Sequence, residues 1–238
     1  MSAQAQASLG SCVDSTSGVV LLHGIGVGAW TLKKLERALQ RRGFATLNLG
    51  YASRKKPIEA LAEDIHPPIA DFAKQCNGPI HFVAHSMGGL LARLYVAKYR
   101  PARLARVVML GTPNGGSEVA DLLMGLAIYR AILGPAGLQL STALDPVLAS
   151  LPPPDYEVGI IAGCRTIAPI ASFLVLPRPN DGKVSVASSK LANMADHAIV
   201  KASHAGLTRH PAAIAQTIAF LRAGKFKSQP QGAHSFTP

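Results

Sequence analysis

Three polar residues that lie far apart in the sequence could together carry out nucleophilic catalysis: Ser86, Asp181 and His204. A serine hydroxyl is a poor nucleophile at neutral pH unless a histidine takes its proton, and that histidine needs an acceptor to hold the right tautomer. The order serine, acid, histidine along the chain is one of the known orders of such a triad. These residue types predict attack of Ser86 on a carbonyl carbon.

Each assignment has competitors in the same sequence. His197 is the rival base, but it precedes a predicted strand instead of following one, which favours a structural role. His85 directly precedes the serine on its strand and is expected to point to the opposite side and pack. The turn at 180–182 could also be a plain turn. Three other carboxylates could replace Asp181: Asp145, Asp155 and Asp196.

Ser86 lies at the junction of a predicted strand and a predicted helix. The apolar run 80–84 ends at a polar pair, and small residues then open a helix-forming segment. A serine on such a sharp turn is strained, and Gly88 lacks the Cβ that would keep strand and helix apart. The usual pattern is G-x-S-x-G, whereas this chain has Ala84 first. An ordinary helix N-cap serine is the alternative interpretation.

Predicted strands and helices alternate along most of the chain. The predicted strands span 18–22, 44–49, 80–84, 107–110, 158–162 and 198–201. This alternation indicates the α/β class, with a mostly parallel central sheet covered by helices on both faces. Pro67 and Pro68 should break or kink the helix predicted over 58–74. Because catalytic groups gather at the carboxyl ends of parallel strands, the loops after these strands should meet at one edge.

Composition and the positions of the predicted elements divide the chain into an arm, one domain and a tail. Residues 1–17 are small and polar and predict a flexible arm, 18–223 one catalytic domain, and 224–238 a disordered tail. Within the domain, the leucine-rich insertion 117–154 predicts either a buried packing helix or a mobile apolar cover over a cleft. No internal repeat is present.

The bulk composition narrows the class of partner. The formal net charge is +11, but aromatic residues make up only 5% and the basic residues are scattered, so no nucleic-acid partner is expected. A basic surface could attract anionic lipid or acidic substrates. No run reaches the roughly 18 apolar residues of a membrane span, and no clustered ligands predict a metal site.

Cysteine usage and the amino-terminal composition bear on the compartment. Cys12, Cys76 and Cys164 have no C-x-x-C spacing, so they predict free thiols or at most one disulfide. The amino-terminal residues lack the pattern of a secretory signal, which favours a cytoplasmic location. The alternating Ala-Gln run could instead be the remainder around a removed signal. None of these features specifies an oligomeric state.

The glycine loop 23–28 after the first long strand has two interpretations. It resembles a dinucleotide-binding loop, but the G-x-G-x-x-G spacing fails and no acidic residue follows the next strand at the right distance. The alternative use of such a loop is to present backbone N–H groups to a developing anion. We favour the second interpretation.

Four motifs together resemble the α/β-hydrolase lipases and esterases, most closely the small bacterial lipases whose A-H-S-M-G elbow also begins with alanine. They are His-Gly-Ile-Gly from His23, Ala-His-Ser-Met-Gly-Gly from Ala84, Leu-Gly-Thr-Pro-Asn-Gly-Gly-Ser from Leu110, and Asn-Asp-Gly from Asn180. The resemblance covers roughly residues 18–222. It implies hydrolysis of carboxylic esters without a cofactor.

The resemblance and the chemistry together imply a role for each matching residue. Ser86 is the nucleophile, His204 the base and Asp181 its partner, while the backbone N–H groups of Ile25 and Met87 form the oxyanion hole.

The substrate-binding residues are expected in the glycine loop and the insertion. His23 is expected to anchor its own loop by hydrogen bonds. The predicted substrate-binding residues are His23, Gly24, Leu122, Leu123 and Leu126. The leucines favour acyl-chain esters, either of a small molecule or of a lipid. Thioesterase or acyltransferase activity could use the same triad, and a non-catalytic domain that binds a hydrophobic ligand is the alternative from another class.

Overall fold

The computed structural model describes residues 7–9, 17–116, 134–141, 145–166 and 176–228. The strands are β1 (Ala7–Leu9), β2 (Gly18–Leu22), β3 (Ala45–Leu49), β4 (Ile80–His85), β5 (Leu104–Leu110), β6 (Glu157–Gly163) and β7 (Asp196–Val200). The α-helices are α1 (Lys33–Gln40), α2 (Ile58–Gln75), α3 (Met87–Tyr99), α4 (Pro146–Ala149), α5 (Val186–Ser189) and α6 (Pro211–Ala223), and a 3-10 helix spans Ala29–Leu32.

The strands form one sheet in the order β1-β3-β2-β4-β5-β6-β7. All neighbouring pairs from β3 to β7 are parallel, and β1 is antiparallel to β3. Alternate side chains of β2 serve opposite faces: Val20 and Leu22 pack in one core layer, Val19 and Leu21 in the other. Helices α2 and α3 cover the first layer, and α1 and α6 the second. The predicted fold class is confirmed.

Helix α2 runs unbroken from Ile58 to Gln75 through both internal prolines. Of the two outcomes predicted for Pro67 and Pro68, the break is therefore wrong, and the kink stays a prediction. Proline removes a helical hydrogen bond, but α2 buries a continuous apolar face of Ile65, Ile69 and Phe72 against the sheet layer. Burial of that face offsets the missing backbone bonds, because tertiary packing supplies most of the stability of such a helix.

Parts of the predicted arm and tail belong to the folded body. Ala7–Leu9 pairs with β3, so the predicted arm is not wholly loose. At the other end, the Phe226 amide donates to Asp196 Oδ2 (2.7 Å) and its ring lies 5.0 Å from that of Phe220. The disorder predicted for the tail is wrong over 224–228. The predictions for 1–6, 10–16 and 229–238 lie outside the described residues.

The described part of the insertion 117–154 packs onto the α2 and α3 side. Ala136, Leu140 and Leu148 are buried in that core layer. The Gln139 side chain accepts a hydrogen bond from the Ile58 amide (2.8 Å) at the start of α2. Over 134–141 and 145–154 the insertion is thus a packing element. Residues 117–133 and 142–144 lie outside the described residues, and with them the prediction of a cover.

The described residues contain neither a membrane-spanning helix nor a cluster of metal ligands. No helix there is long and apolar enough to cross a membrane. Nor does that part of the chain contain a group of three or more His, Cys, Asp or Glu residues that could hold a metal ion.

Candidate active site

Ser86 occupies a sharp turn between β4 and α3. Its backbone has φ 57° and ψ −130°, a region that non-glycine residues rarely adopt. The Ser86 amide donates to the Leu110 carbonyl (2.9 Å) at the end of β5, and the Thr112 hydroxyl donates to the Ser86 carbonyl (3.1 Å). The neighbouring strand thus holds the strained turn from both sides. Strain of this kind persists only when surrounding contacts over-determine it.

Two glycines let α3 start this close to the sheet. A Cβ on Gly88 would lie 2.6 Å from the carbonyl oxygens of Leu22 and His23. A Cβ on Gly89 would lie 2.0 Å from Thr112 Oγ1. Both distances are well inside van der Waals contact, so the side chain of any other residue would push the helix away from β2 or β5.

The structure brings Ser86, His204 and Asp181 together in one hydrogen-bonded chain. The Ser86 hydroxyl lies 3.0 Å from His204 Nε2, and His204 Nδ1 lies 2.8 Å from Asp181 Oδ2. A carboxylate only accepts, so Nδ1 carries the proton and Nε2 is the acceptor that faces the hydroxyl. All three residues are buried. This arrangement can withdraw the serine proton and return it to a leaving group.

The Asp181 carboxylate is held by its own turn. Its Oδ1 accepts the amide N–H groups of Lys183 (2.9 Å) and Val184 (2.8 Å). The His204 amide also donates to the Asp181 carbonyl (2.9 Å). These bonds leave Oδ2 free for the imidazole and fix the direction from which it is presented.

Sequence reasoning missed two glycines that make room for this pair. Gly111 has φ +57°, and a Cβ there would lie 3.0 Å from Asp181 Oδ2 and 3.2 Å from His204 Nδ1. A Cβ on Gly163 would lie 2.7 Å from the Asp181 Cβ. Gly111 directly follows β5 and Gly163 ends β6, so both lie at the carboxyl edge of the sheet. That position is the signal that could have identified them.

The glycine loop after β2 lies against the nucleophile. A Cβ on Gly24 would be 3.1 Å from the Ser86 Cβ, so the loop backbone borders the serine. Met87, the first residue of α3, and Ile25, in this loop, are the predicted oxyanion-hole donors. Among the hydrogen bonds of the described residues, neither of their backbone N–H groups has a protein acceptor.

His23 shapes this loop from behind. Its Nδ1 donates to the Gly24 carbonyl (2.8 Å), and its Nε2 accepts from the Tyr51 amide (3.3 Å). The rings of His23 and Tyr51 stack with their centroids 4.0 Å apart. Burial lowers the pKa of His23, which favours this neutral form. His23 is 0% exposed, and its hydrogen bonds confirm the loop-anchoring role predicted for it. Gly24 is buried as well, and a contact of either residue with substrate stays a prediction.

His85 is buried, as its predicted packing role requires, and it packs against a catalytic residue. Its Nε2 donates to the His204 backbone carbonyl (3.0 Å), and the two rings lie 4.8 Å apart. Burial, followed by the nearby His204, lowers the pKa of His85 to about 3, so its imidazole is neutral.

The competing residues have other roles. His197 is on β7, where its Nε2 lies 3.4 Å from Ser189 Oγ at the end of α5. Burial lowers the pKa of His197. Asp145 accepts from the Val147 amide at the start of α4. Asp155 is an exposed partner of an arginine, and Asp196 accepts backbone amides beside β7. Leu122, Leu123 and Leu126, the predicted acyl-chain contacts, lie outside the described residues.

The chain belongs to the alpha/beta hydrolase family, because the family model with that description matches residues 19–224. A triacylglycerol lipase from Pseudomonas fragi is 29% identical over 146 residues, which are 58% of this chain and 49% of the relative. The chain thus spans about half the length of this curated relative.

Solved structures show the same fold. The mature lipase BlEst2 of Bacillus licheniformis matches with a TM-score of 0.74 and 15% identity, covering 92% of this chain and 97% of that chain. Phospholipase PlaB from Legionella pneumophila matches with a TM-score of 0.66 and 19% identity, covering 90% of this chain and 61% of that one. The resemblance stated from the sequence is confirmed at the level of the family and the fold.

Proposed function

We propose that this protein is a serine hydrolase that cleaves carboxylic esters, as an esterase or a lipase. The observation that carries the proposal is the buried chain from Ser86 Oγ through His204 to Asp181, with bonds of 3.0 and 2.8 Å. The lipase and phospholipase names of its relatives support ester substrates. No cofactor takes part in the proposed reaction.

The proposed reaction has two halves. Ser86 Oγ attacks the ester carbonyl carbon while His204 Nε2 takes its proton, and the same proton then goes to the departing alkoxide as the C–O bond breaks. Water, deprotonated by His204, attacks the acyl-enzyme and releases the acid and the free serine. Asp181 holds the protonated imidazole, since its Oδ2 lies 2.8 Å from Nδ1.

The developing oxyanion is assigned to two backbone N–H groups, those of Met87 and Ile25. Met87 begins α3, so its N–H also lies at the positive end of the helix dipole. One such donor typically contributes about 10²–10³ in rate. Gly24 allows the loop that carries Ile25 to lie beside Ser86, because a Cβ at residue 24 would be only 3.1 Å from the Ser86 Cβ.

A transient contact with a lipid surface is part of the proposal. Val27, in the glycine loop that borders Ser86, is 39% exposed, and Trp30, two residues after that loop, is 72% exposed. A basic protein with an exposed tryptophan near its site has features of interfacial binding. A Trp30→Ala variant should bind anionic phosphatidylglycerol vesicles at least about threefold more weakly while soluble esters are hydrolysed normally. Unchanged vesicle binding would contradict this contact.

We also propose a reducing, cytoplasmic compartment. Among the described residues, Cys164 is a free thiol, which supports that location without requiring it. Subcellular fractionation with an antibody against the protein tests it, and recovery outside the cytoplasmic fraction would contradict it.

A fluorophosphonate probe tests the enzyme against the non-catalytic binding alternative. The native protein should be labelled and the Ser86→Ala variant should not. A folded native protein that takes up no label would favour a domain that only binds hydrophobic ligands.

Substrate profiling separates the activities that share this triad. A series of p-nitrophenyl esters from acetate to palmitate distinguishes a short-chain esterase from a lipase, which should prefer long chains. Acyl thioesters in the same screen test the thioesterase alternative, and ester formation with an added alcohol tests acyl transfer. Ser86→Ala is the blank for every substrate.

A further inference from the structure

Arg93 is a buried cation on helix α3. It is 9% exposed, and within the described part of the chain its guanidinium makes no ion pair and no hydrogen bond. Neighbouring arginines are satisfied, since Arg100 contacts Asp155 at 2.7 Å and Arg103 donates to backbone carbonyls. Burial lowers the pKa of Arg93, yet an arginine stays charged in proteins.

An unpaired buried charge is costly. Buried charges in folded proteins are almost always paired or hydrogen-bonded, since burial removes the water that would otherwise solvate them. The Arg93 nitrogens keep some accessible surface, so a counterion from outside the chain can reach them. The surroundings of Arg93 provide room for one.

Arg93 lines a cavity of about 360 Å³ between α3 and the segment 151–156. Its other walls are largely apolar, contributed by Val96, Ala97, Leu151 and the prolines of this segment. A volume of this size falls within the range of small-molecule sites, about 300–1,000 Å³. Because 151–156 precedes β6 and α3 runs away from Ser86, the cavity lies toward the amino edge of the sheet, opposite the catalytic edge.

The polar groups of the cavity favour an anion. Tyr156 lines it beside Arg93, and burial raises the pKa of this phenol to about 12, so it remains a neutral hydroxyl that can donate. Asp155 at the rim is largely exposed and already bound to Arg100. The anionic side chain nearest the cavity is thus committed to another arginine.

We propose that this cavity binds an organic anion, with the carboxylate paired to Arg93 and the short hydrocarbon body against the apolar walls. A single guanidinium matches the charge of one carboxylate and its forked geometry. A free phosphate carries more charge than the single buried cation offers and would leave the apolar walls uncovered. The site is independent of any reaction at Ser86.

Octanoate is the probe, measured by isothermal calorimetry with native protein and with the Arg93→Met and Arg100→Met variants. Native protein should bind octanoate saturably, and Arg93→Met should weaken that binding at least about tenfold, because a charge-assisted hydrogen bond is lost. Arg100→Met, at the exposed rim, should change it less than about threefold. A shift of the Arg93 Nε–H signal in NMR during titration locates the ligand at this side chain.

Several results would overturn the site. These are equal octanoate affinity in native and Arg93→Met protein, equal losses in both variants, or octanol or inorganic phosphate binding as tightly as octanoate. Folding is the remaining control. Arg93→Met removes an unpaired buried charge, so its Tm should be unchanged or higher. A Tm lower by more than about 4 °C would show that Arg93 stabilises the fold through partners of its own, and would refute the proposal.

Discussion

Replacing Asp181 by asparagine tests the proposed mechanism most directly, because the structure dictates how the new amide must lie. Asp181 Oδ1 accepts two backbone N–H groups, from Lys183 and Val184, at 2.9 and 2.8 Å. Only the oxygen of an asparagine side chain can accept those bonds. The NH₂ group is therefore turned toward His204 Nδ1, 2.8 Å from the position of Oδ2.

That orientation places the proton on the wrong nitrogen of His204. Nδ1 must accept from the amide, so the neutral imidazole carries its proton on Nε2, which faces Ser86 Oγ at 3.0 Å. A protonated Nε2 cannot take the serine proton. The equivalent change in a serine protease lowers kcat about 10⁴-fold, and we expect a similar loss here, about 5 kcal/mol of barrier. The two backbone bonds survive, so the free energy of unfolding should change by only about 1 kcal/mol.

Initial rates on p-nitrophenyl butyrate measure the loss, with circular dichroism to confirm that the variant is folded. Asp155→Asn is the matched control, because the same change is made to a carboxylate that is 71% exposed, and its kcat should stay within about twofold. A folded Asp181→Asn protein that keeps more than about a tenth of native kcat would refute the orientation argument.

Three further predictions follow from the same geometry. Gly111→Ala should cost about 1–2 kcal/mol of stability, since φ is +57°, and should lower kcat at least about tenfold because its Cβ would crowd Asp181 and His204; native-like kinetics would contradict this. His204→Ala should abolish ester hydrolysis while His197→Ala largely spares it, and the reverse result would reassign the base. Acid should destabilise the fold: His85 and His81 have pKa values lowered to about 3 and about 4, so the unfolded chain binds more protons than the native one. The unfolding free energy is then fully present above about pH 6.5 and falls by a few kcal/mol toward pH 4. Urea titrations at pH 7, 5 and 4 measure it, and a flat profile would count against the two buried neutral imidazoles.

Helix α2 shows where reasoning from local patterns fails. Proline chemistry predicted a break or a kink near His66, yet the helix is continuous and its buried face holds it together. For His85, the strand position predicted packing correctly but gave no sign of its partner, the His204 backbone carbonyl. In each case the missing information was a tertiary contact.

Local patterns missed β1 but predicted the other six strands, the turn at Ser86, and Asp181 and His204 as the partners of the serine. These features depend on apolar periodicity and on residue types next to each other, which are local properties of a chain. Their spacing along parallel strands was enough to predict that the three residues meet at one edge.

The groups that surround that edge come together only through the packing of distant elements. Gly111 leaves room for Asp181 where β5 lies beside β6, and the hydrogen bond from His85 to His204 spans 119 positions. The cavity at Arg93 likewise exists because α3 packs against a segment more than fifty residues later. Such contacts depend on sheet order and helix packing, which bring together residues whose local sequences carry no sign of each other.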